Sequence, residues 1–267
     1  MFNKTKTKKG RFSGQGTIRD YDMQIQLEPQ KTIIDSSSQS RIKNEEAALC
    51  LAVMEKSNRI AVGTKKGTIK IFCQKTGIKL EDLNHHTSGV CCMGVIDHQL
   101  ISGSDIGCCK VILWDFEKQH CDNFINPLPM KHTAAVTSIV SLGDGKYALS
   151  GGFDCKVNLY NCQTRELVCS SDTGDKITDM VIFSKGDDDF CGKNRRKLAI
   201  GHLHNTVALW EIYKNTFNTI TGMDKIKKIA IGTCPQSLCV SQDGLFVCDK
   251  EKWIREINTS SGVIEWA

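Results

Sequence analysis

The feature that most constrains the fold of this chain is a unit of short apolar stretches and turns that occurs five times along it. The clearest copy spans residues 131–161. Its apolar stretches begin at Ala135, Tyr147 and Val157, and turns rich in glycine and aspartate separate them. A fourth stretch, Glu166–Cys169, follows. Each unit therefore predicts four short antiparallel strands.

The spacing of the units predicts how they are assembled. The third strand of each unit ends at a large anchor residue, and successive anchors lie 42, 46, 50 and 47 residues apart. The anchors are Phe72, Trp114, Tyr160, Trp210 and Ile257. A glycine or cysteine lies nine residues before the anchor in four units, and the second unit has two extra residues at Cys108-Cys109. Repeats of this length, built from four strands, are typical of β-propeller blades.

Two of the units share polar and aromatic residues at matching places. The third unit contains His132-Thr133, Ser150-Gly151, Asp154 and Tyr160-Asn161, and the second contains His86-Thr87, Ser102-Gly103 and Trp114-Asp115. This motif resembles that of WD40 repeats. The resemblance covers roughly residues 47–267, although the other three units keep only the glycine or strand pattern. It implies an all-β, WD40-type β-propeller with about five four-stranded blades.

The resemblance also implies a role for the shared residues. In WD40 proteins these residue types form a hydrogen-bonded network inside a blade. The network would consist of His132, Ser150, Asp154 and Tyr160 in the third unit and of His86, Ser102 and Trp114 in the second. Serine, histidine and aspartate could also form a hydrolase triad. A closed network stiffens a blade and exposes no nucleophile, so we favour the structural role and predict no enzyme activity.

The number of units leaves the closure of the ring open. WD40 rings more often have seven blades, and propellers in general have about four to eight. Five units predict either a tightly closed ring or, as the favoured alternative, an incomplete ring that another protein or a second copy completes. Residues 21–27 alternate apolar and polar side chains up to Pro29, which predicts a strand. This strand is expected to cover one edge by pairing with the last blade.

The first 46 residues differ in composition from residues 47–267, which hold the propeller. Residues 1–19 contain six basic residues and no acidic one, so this arm carries the whole net charge of +5. Its composition predicts a basic, mostly disordered arm. The arm is either a solvated tail or a contact with nucleic acid through its basic residues, among them Lys4, Lys6, Lys8, Lys9 and Arg11. A subunit of a ribonucleoprotein or other nucleic-acid complex is therefore the alternative function.

Other classes of protein are disfavoured. No apolar run approaches the roughly 18 residues that span a bilayer, so we expect no membrane span and a cytoplasmic or nuclear protein. The 14 cysteines are scattered and include no Cys-x-x-Cys, which indicates reduced thiols within strands. We assign no metal site and no cofactor.

The resemblance implies a non-catalytic scaffold that binds protein or peptide partners, within a multi-subunit complex or singly. The expected surface is the propeller face where turns before first strands and between second and third strands gather. Candidate contact residues there are Lys65, Lys66, Thr87, Lys131, Phe153, His202, His204 and Lys250. Phe153 is either an exposed anchor or packed on a neighbouring blade. A charge-rich loop, residues 184–197, is either a second docking segment or simply solvated.

Overall fold

The computed structural model describes residues 46–116, 126–127, 132–183, 195–215, 219–241, 244–259 and 264–266. These residues form five four-stranded antiparallel sheets, which confirms the predicted all-β architecture of propeller blades. We call the sheets blades 1 to 5 in chain order. The predicted arm, the strand at residues 21–27 and most of the charged loop lie outside the described residues.

The blades share one topology, in which each strand pairs with the next one along the chain. Blade 1 contains β1 (Ala48–Met54), β2 (Arg59–Thr64), β3 (Thr68–Cys73) and β4 (Lys79–Asn84). Blade 2 contains β5 (Val90–Ile96), β6 (Gln99–Ser104), β7 (Val111–Trp114) and β8 (Asn126–Pro127). Blade 3 contains β9 (Val136–Ser141), β10 (Tyr147–Gly152), β11 (Lys156–Asn161) and β12 (Glu166–Asp172).

Blades 4 and 5 differ strongly from each other in the length of their strands. Blade 4 contains β13 (Ile177–Phe183), β14 (Arg195–His202), β15 (Thr206–Lys214) and β16 (Ile220–Ala230). Blade 5 contains β17 (Pro235–Val240), β18 (Leu245–Asp249), β19 (Ile254–Ile257) and β20 (Ile264–Trp266). The predicted loop at residues 184–197 is corrected at its end, because Arg195–Lys197 belongs to β14 and pairs with β15.

The hydrophobic core lies between the blades. Each of four clusters of buried side chains fills the space between two successive blades. The first strands of successive blades also contact one another, from β1 to β5, β9, β13 and β17. Strands β17 and β1, both fully described, make no contact of comparable extent. The described blades therefore form an arc and not a closed ring.

A glycine in the second strand allows each blade to approach the next. The position is occupied by Gly63, Gly103, Gly151 and Gly201 in blades 1 to 4. A Cβ atom at Gly103 would lie only 2.6 Å from Cγ1 of Val136 in blade 3, so a larger residue would push the blades apart. In blade 5 the position is held by Cys248, which is exposed. Among the described residues, no further blade packs on Cys248.

A polar side chain opposite this glycine joins each blade to the next. Cys50 donates from its thiol to the carbonyl oxygen of Val90 at 3.1 Å, and Cys92 donates to that of Val136 at 3.4 Å. The sequence predicted these residues only as reduced thiols within strands. They also act as hydrogen-bond donors across blade boundaries.

Asp179 in β13 joins three blades. Its Oδ1 accepts a hydrogen bond from the Ser138 hydroxyl in blade 3 at 2.9 Å. Its Oδ2 accepts from the Ser237 hydroxyl at 3.0 Å and from the Leu238 amide at 2.9 Å, both in blade 5. The residue is 8% exposed, so these bonds replace water and fix the positions of neighbouring blades.

Candidate protein-interaction face

The network of blade 3 begins with His132, which is buried just before β9. Its Nε2 atom lies 2.7 Å from the Ser150 hydroxyl, and its Nδ1 atom lies 2.9 Å from Oδ2 of Asp154. Ser150 donates in turn to the phenol oxygen of Tyr160 at 3.2 Å. The structure thus brings together all four residues that the resemblance grouped in the third unit.

Asp154 is held in place by backbone groups as well. Its carboxylate accepts hydrogen bonds from the amides of Thr133 at 3.0 Å and Lys156 at 3.2 Å. Burial alone would raise the pKa of this carboxyl, but the hydrogen bond and charge of His132, together with these amides, lower it overall. The ionised form is therefore the stable one in the folded chain.

The geometry does not present Ser150 as a nucleophile. The residue is fully buried, and its hydroxyl already lies between His132 and Tyr160. The phenol of Tyr160 is also buried, which raises its pKa to about 12. The arrangement is a closed chain of hydrogen bonds within one blade, and a substrate carbonyl could not reach it without opening the blade.

Blade 2 contains a variant of the same network. Nε2 of His86 lies 2.7 Å from the Ser102 hydroxyl, which also accepts a hydrogen bond from the indole nitrogen of Trp114 at 2.8 Å. Nδ1 of His86 faces the Cys108 sulfur at 3.5 Å, where blade 3 has a carboxylate. The aspartate of the turn, Asp105, instead accepts from the amide of Ile106 at 2.7 Å.

Without a carboxylate beside it, His86 is kept neutral. Burial lowers its pKa to about 4, and the nearby charges of Lys110 and His85 act in the same direction. A neutral imidazole can accept a hydrogen bond at one nitrogen and donate at the other, which suits a position between a hydroxyl and a thiol.

Comparison with known protein families supports the same interpretation of blade 3. Residues 127–161 match the family model described as WD domain, G-beta repeat. The chain contains a WD40 repeat. The match spans the first three strands of blade 3 and the histidine before them, and it confirms the predicted resemblance. A search among curated proteins found no match. No helix in the described ranges is long and apolar enough to cross a membrane.

Blade 4 keeps the WD40 aromatic residue but loses the residues around it. Ile200 occupies the place that Ser150 has in blade 3, so the indole nitrogen of Trp210 is buried with no hydrogen-bond partner among the described residues. His202, at the end of β14, is fully buried, and only its Nδ1 atom has a partner there, the Thr206 hydroxyl at 3.3 Å. Burial lowers the pKa of His202 to about 4, although the charge of Asp175 opposes this shift.

Blade 5 replaces the WD40 network with an ion pair. Nε of Arg255 lies 3.0 Å from Oδ2 of Asp249, and the same oxygen accepts from the Thr233 hydroxyl at 2.6 Å. Arg255 also donates to the carbonyl oxygen of Ile231 at 3.0 Å. Burial would raise the pKa of Asp249, but the Thr233 hydroxyl, backbone amides and Arg255 lower it overall. Each of blades 2, 3 and 5 thus ties the start of its first strand to its second or third strand by a different set of side chains.

One backbone hydrogen bond recurs in all five blades and defines the face on which the turns gather. In each case the amide of the first residue in the turn between the second and third strands donates to the carbonyl oxygen of the residue immediately before the first strand. The pairs are Lys65 with Ala47, Asp105 with Gly89, Phe153 with Ala135, Leu203 with Lys176 and Lys250 with Cys234, at 2.8–3.0 Å. We call the surface formed by the turns before the first strands and between the second and third strands the turn face.

The turn face exposes apolar side chains from three blades. Ile106 in blade 2 is 67% exposed, Leu203 in blade 4 is 37% exposed and Trp253 in blade 5 is 54% exposed. Each lies in the turn between the second and third strands of its blade. Turns held by a rigid scaffold often carry binding residues, so these exposed apolar side chains are candidates for contact with a partner.

The turn face is also mostly basic. Its exposed lysines are Lys65, Lys66, Lys176, Lys250 and Lys252. The acidic residues of these turns are Asp105, Asp154, Asp175 and Glu251, of which Glu251 is exposed and the other three are buried or partly buried. The face therefore offers positive charge around a few apolar side chains.

The predicted contact residues fall into four groups. Lys65, Lys66, Thr87, His204 and Lys250 are exposed on the turn face, whereas Lys131 lies outside the described residues. The prediction for His202 is corrected, because its ring is fully buried and cannot touch a partner. Phe153 is half-buried, with the Lys176 amine 5.9 Å from its ring centroid, so it lies against the neighbouring blade.

The three exposed apolar residues of the turn face were not among the predicted contacts. Trp253 follows the charged stretch Lys250–Lys252, whose lysines dominate the pattern of that turn. The sequence nevertheless contains a signal for these contact residues, because Ile106, Leu203 and Trp253 are each a large apolar residue within a predicted turn. Such residues have no core to fill and are candidates for contact with another molecule.

Proposed function

We propose that this chain is a non-catalytic interaction scaffold whose turn face binds a protein or peptide segment that combines acidic and apolar residues. The WD40 repeat supports the scaffold role, because such repeats generally bind other proteins and do not catalyse reactions. The observation that carries the finer proposal is that Ile106, Leu203 and Trp253 are exposed on the same face as several exposed lysines. Apolar side chains supply most of the binding energy, and the lysines select an acidic partner.

A peptide-display selection tests this proposal and requires no known partner. Random peptides are selected on the wild-type chain and then tested against Ile106→Asp and Trp253→Asp. The control is Leu80→Asp in β4, since Leu80 is also 50% exposed but lies on the outermost strand of blade 1. We expect peptides rich in acidic and apolar residues, with affinity at least about tenfold lower for either turn-face variant. Equal binding to all variants would overturn the proposal.

The second candidate function rests on the charge of residues 1–19, with six basic residues and no acidic one. It assigns the chain to a nucleic-acid complex in which the arm contacts phosphates. Chains with and without residues 1–19 are compared for RNA binding across a salt series. A nucleic-acid role predicts tight binding that weakens steeply with salt and disappears with the arm. Weak binding that is the same for both chains would contradict the nucleic-acid role and leave the scaffold role as the remaining candidate.

A further inference from the structure

The first strand of blade 1 exposes Leu51, whose counterparts are buried in every other blade, and Val53, whose counterparts Val95, Ser141, Ile182 and Val240 are partly buried. Leu51 in β1 is 50% exposed and Val53 is 41% exposed. The residues that match Leu51, opposite the residue before the conserved glycine or cysteine, are Met93, Ile139, Met180 and Leu238, and they are only 3–6% exposed. Each of the four packs on the preceding blade. β1 therefore presents an apolar surface that lacks its covering layer among the described residues.

The most exposed part of this surface lies on β1, although Ile60 in β2, opposite Val53 on the same side, is also partly exposed. Val62 in β2 and Phe72 in β3 lie on the same side of blade 1 and are 6% and 4% exposed. The uncovered area is thus a narrow stripe along Leu51 and Val53. A stripe of this width matches one extended strand better than a whole four-stranded blade.

Blade 5 of a second copy is a poor cover for this stripe. At the boundaries between blades the preceding blade contributes a glycine, but blade 5 has Cys248 at that place. It also has Glu256 where the other blades have a buried apolar residue, namely Ile71, Leu113, Leu159 and Leu209. The thiol would collide with an approaching first strand, and the carboxylate would be buried among apolar groups.

The chain itself carries a segment with the required properties. Residues 21–27 alternate apolar and polar residues, so as a strand they would place Tyr21, Met23, Ile25 and Leu27 on one side and polar residues on the other. The 20 residues between Leu27 and β1 could span at most about 66 Å when extended, which allows the segment to reach back over β1. The segment would supply the aliphatic layer that preceding blades supply elsewhere.

We propose that residues 21–27 form a strand whose apolar side docks on Leu51 and Val53 and covers the open side of blade 1. This differs from pairing with the last blade, because the contact is made by side chains on the face of β1. The arm would then be tethered at the first blade, and its basic residues 1–19 would leave the arc from that end.

Photo-crosslinking tests the proposal directly. The crosslinking amino acid p-benzoylphenylalanine replaces Leu51 in the full chain and, as a control, replaces Leu80, which is equally exposed in the same blade. After irradiation, crosslinked peptides are identified by mass spectrometry in a mixture of isotopically light and heavy chains. We expect crosslinks from position 51 to residues 21–27 within one chain and none to that segment from position 80.

A second pair of variants separates docking from mere proximity. Ile25→Asp disrupts the apolar side of the segment, whereas Gln24→Asp changes the polar side by one charge in the same region. The crosslink from position 51 should fall at least about fivefold with Ile25→Asp and stay unchanged with Gln24→Asp, since a buried carboxylate is costly. Crosslinks only between chains would identify a second copy as the occupant, and crosslinks to other segments or to none would equally overturn the proposal.

Discussion

The Ser138 hydroxyl donates a hydrogen bond to the Asp179 carboxylate, 2.9 Å away, across the boundary between blades 3 and 4. The other oxygen of the same carboxylate accepts two hydrogen bonds from blade 5. A single charged side chain thus fixes the relative position of three blades. It is buried, so the carboxylate depends on these donors for the stabilisation that water would otherwise give.

Replacing Asp179 should therefore destabilise the arc strongly. Asp179→Ala leaves the Ser138 and Ser237 hydroxyls and the Leu238 amide without their acceptor, and we expect a loss of at least about 2 kcal/mol. The matched control is Asp224→Ala, since Asp224 is an exposed residue of β16 in the same blade. Urea unfolding measures both. Equal midpoints for the two variants would show that the carboxylate does not join the blades.

The network of blade 3 makes a separate contribution to stability. Asp154→Ala removes the acceptor for His132 and for the amides of Thr133 and Lys156, and should cost about 1–3 kcal/mol. Asp154→Asn keeps an acceptor oxygen and should lose less. Denaturant midpoints of the three chains give the comparison. A wild-type midpoint for Asp154→Ala would refute the structural role, and a hydrolase activity lost at unchanged stability would favour the triad instead.

The close contact between blades at Gly103 leads to a third prediction. A Cβ atom there would lie 2.6 Å from Val136 Cγ1 and 2.7 Å from Cys92 Sγ, so Gly103→Ala should destabilise by about 1–3 kcal/mol. Gly222→Ala is the control, because nothing lies within 4 Å of a Cβ atom at that glycine of β16. This substitution should be neutral or slightly stabilising. Thermal unfolding of both variants tests the prediction, and similar shifts in Tm would contradict it.

Two of the buried histidines, His86 and His202, predict how stability depends on pH. Burial lowers the pKa of His86 and His202 to about 4, whereas an unfolded histidine titrates near 6.5. Between these values the unfolded chain binds protons that the folded chain does not. Their contribution to stability is therefore complete above about pH 6.5 and falls by about 1.4 kcal/mol per pH unit for each histidine as the pH drops towards 4.

Urea midpoints at several pH values between 7 and 5 measure this slope. His202→Gln should reduce the slope of stability against pH by about the contribution of one histidine. This holds whatever effect the substitution has on stability at pH 7. His86→Gln should act in the same way. A slope that neither substitution changes would show that other groups cause the pH dependence.

Much of the fold was predictable because each blade repeats local signals. The stretch from Val157 to Tyr160 was predicted as a strand, and β11 spans Lys156–Asn161. Alternating apolar residues and glycine turns act over a few residues, so they can be recognised in the sequence.

The features that the sequence does not reveal depend on contacts between distant residues. Asp179 lies within an apolar strand, and its hydroxyl partners are 41 and 58 residues away. Cys108 faces His86 because two extra residues reshape the turn of blade 2, and no local pattern indicates which side chain then points inward. His202 was predicted as a contact residue of a turn, but β14 extends through it and buries its ring.

Hydrogen exchange in the presence of a bound peptide tests whether partners bind on the turn face. The tightest peptide from the display selection is added at saturation to the wild-type chain, and amide protection is mapped by mass spectrometry. We expect new protection in the turns at residues 105–110, 203–205 and 250–253, with little change in the outer strands β4, β12 and β16. Protection confined to those outer strands, with the turns unchanged, would contradict binding on the turn face.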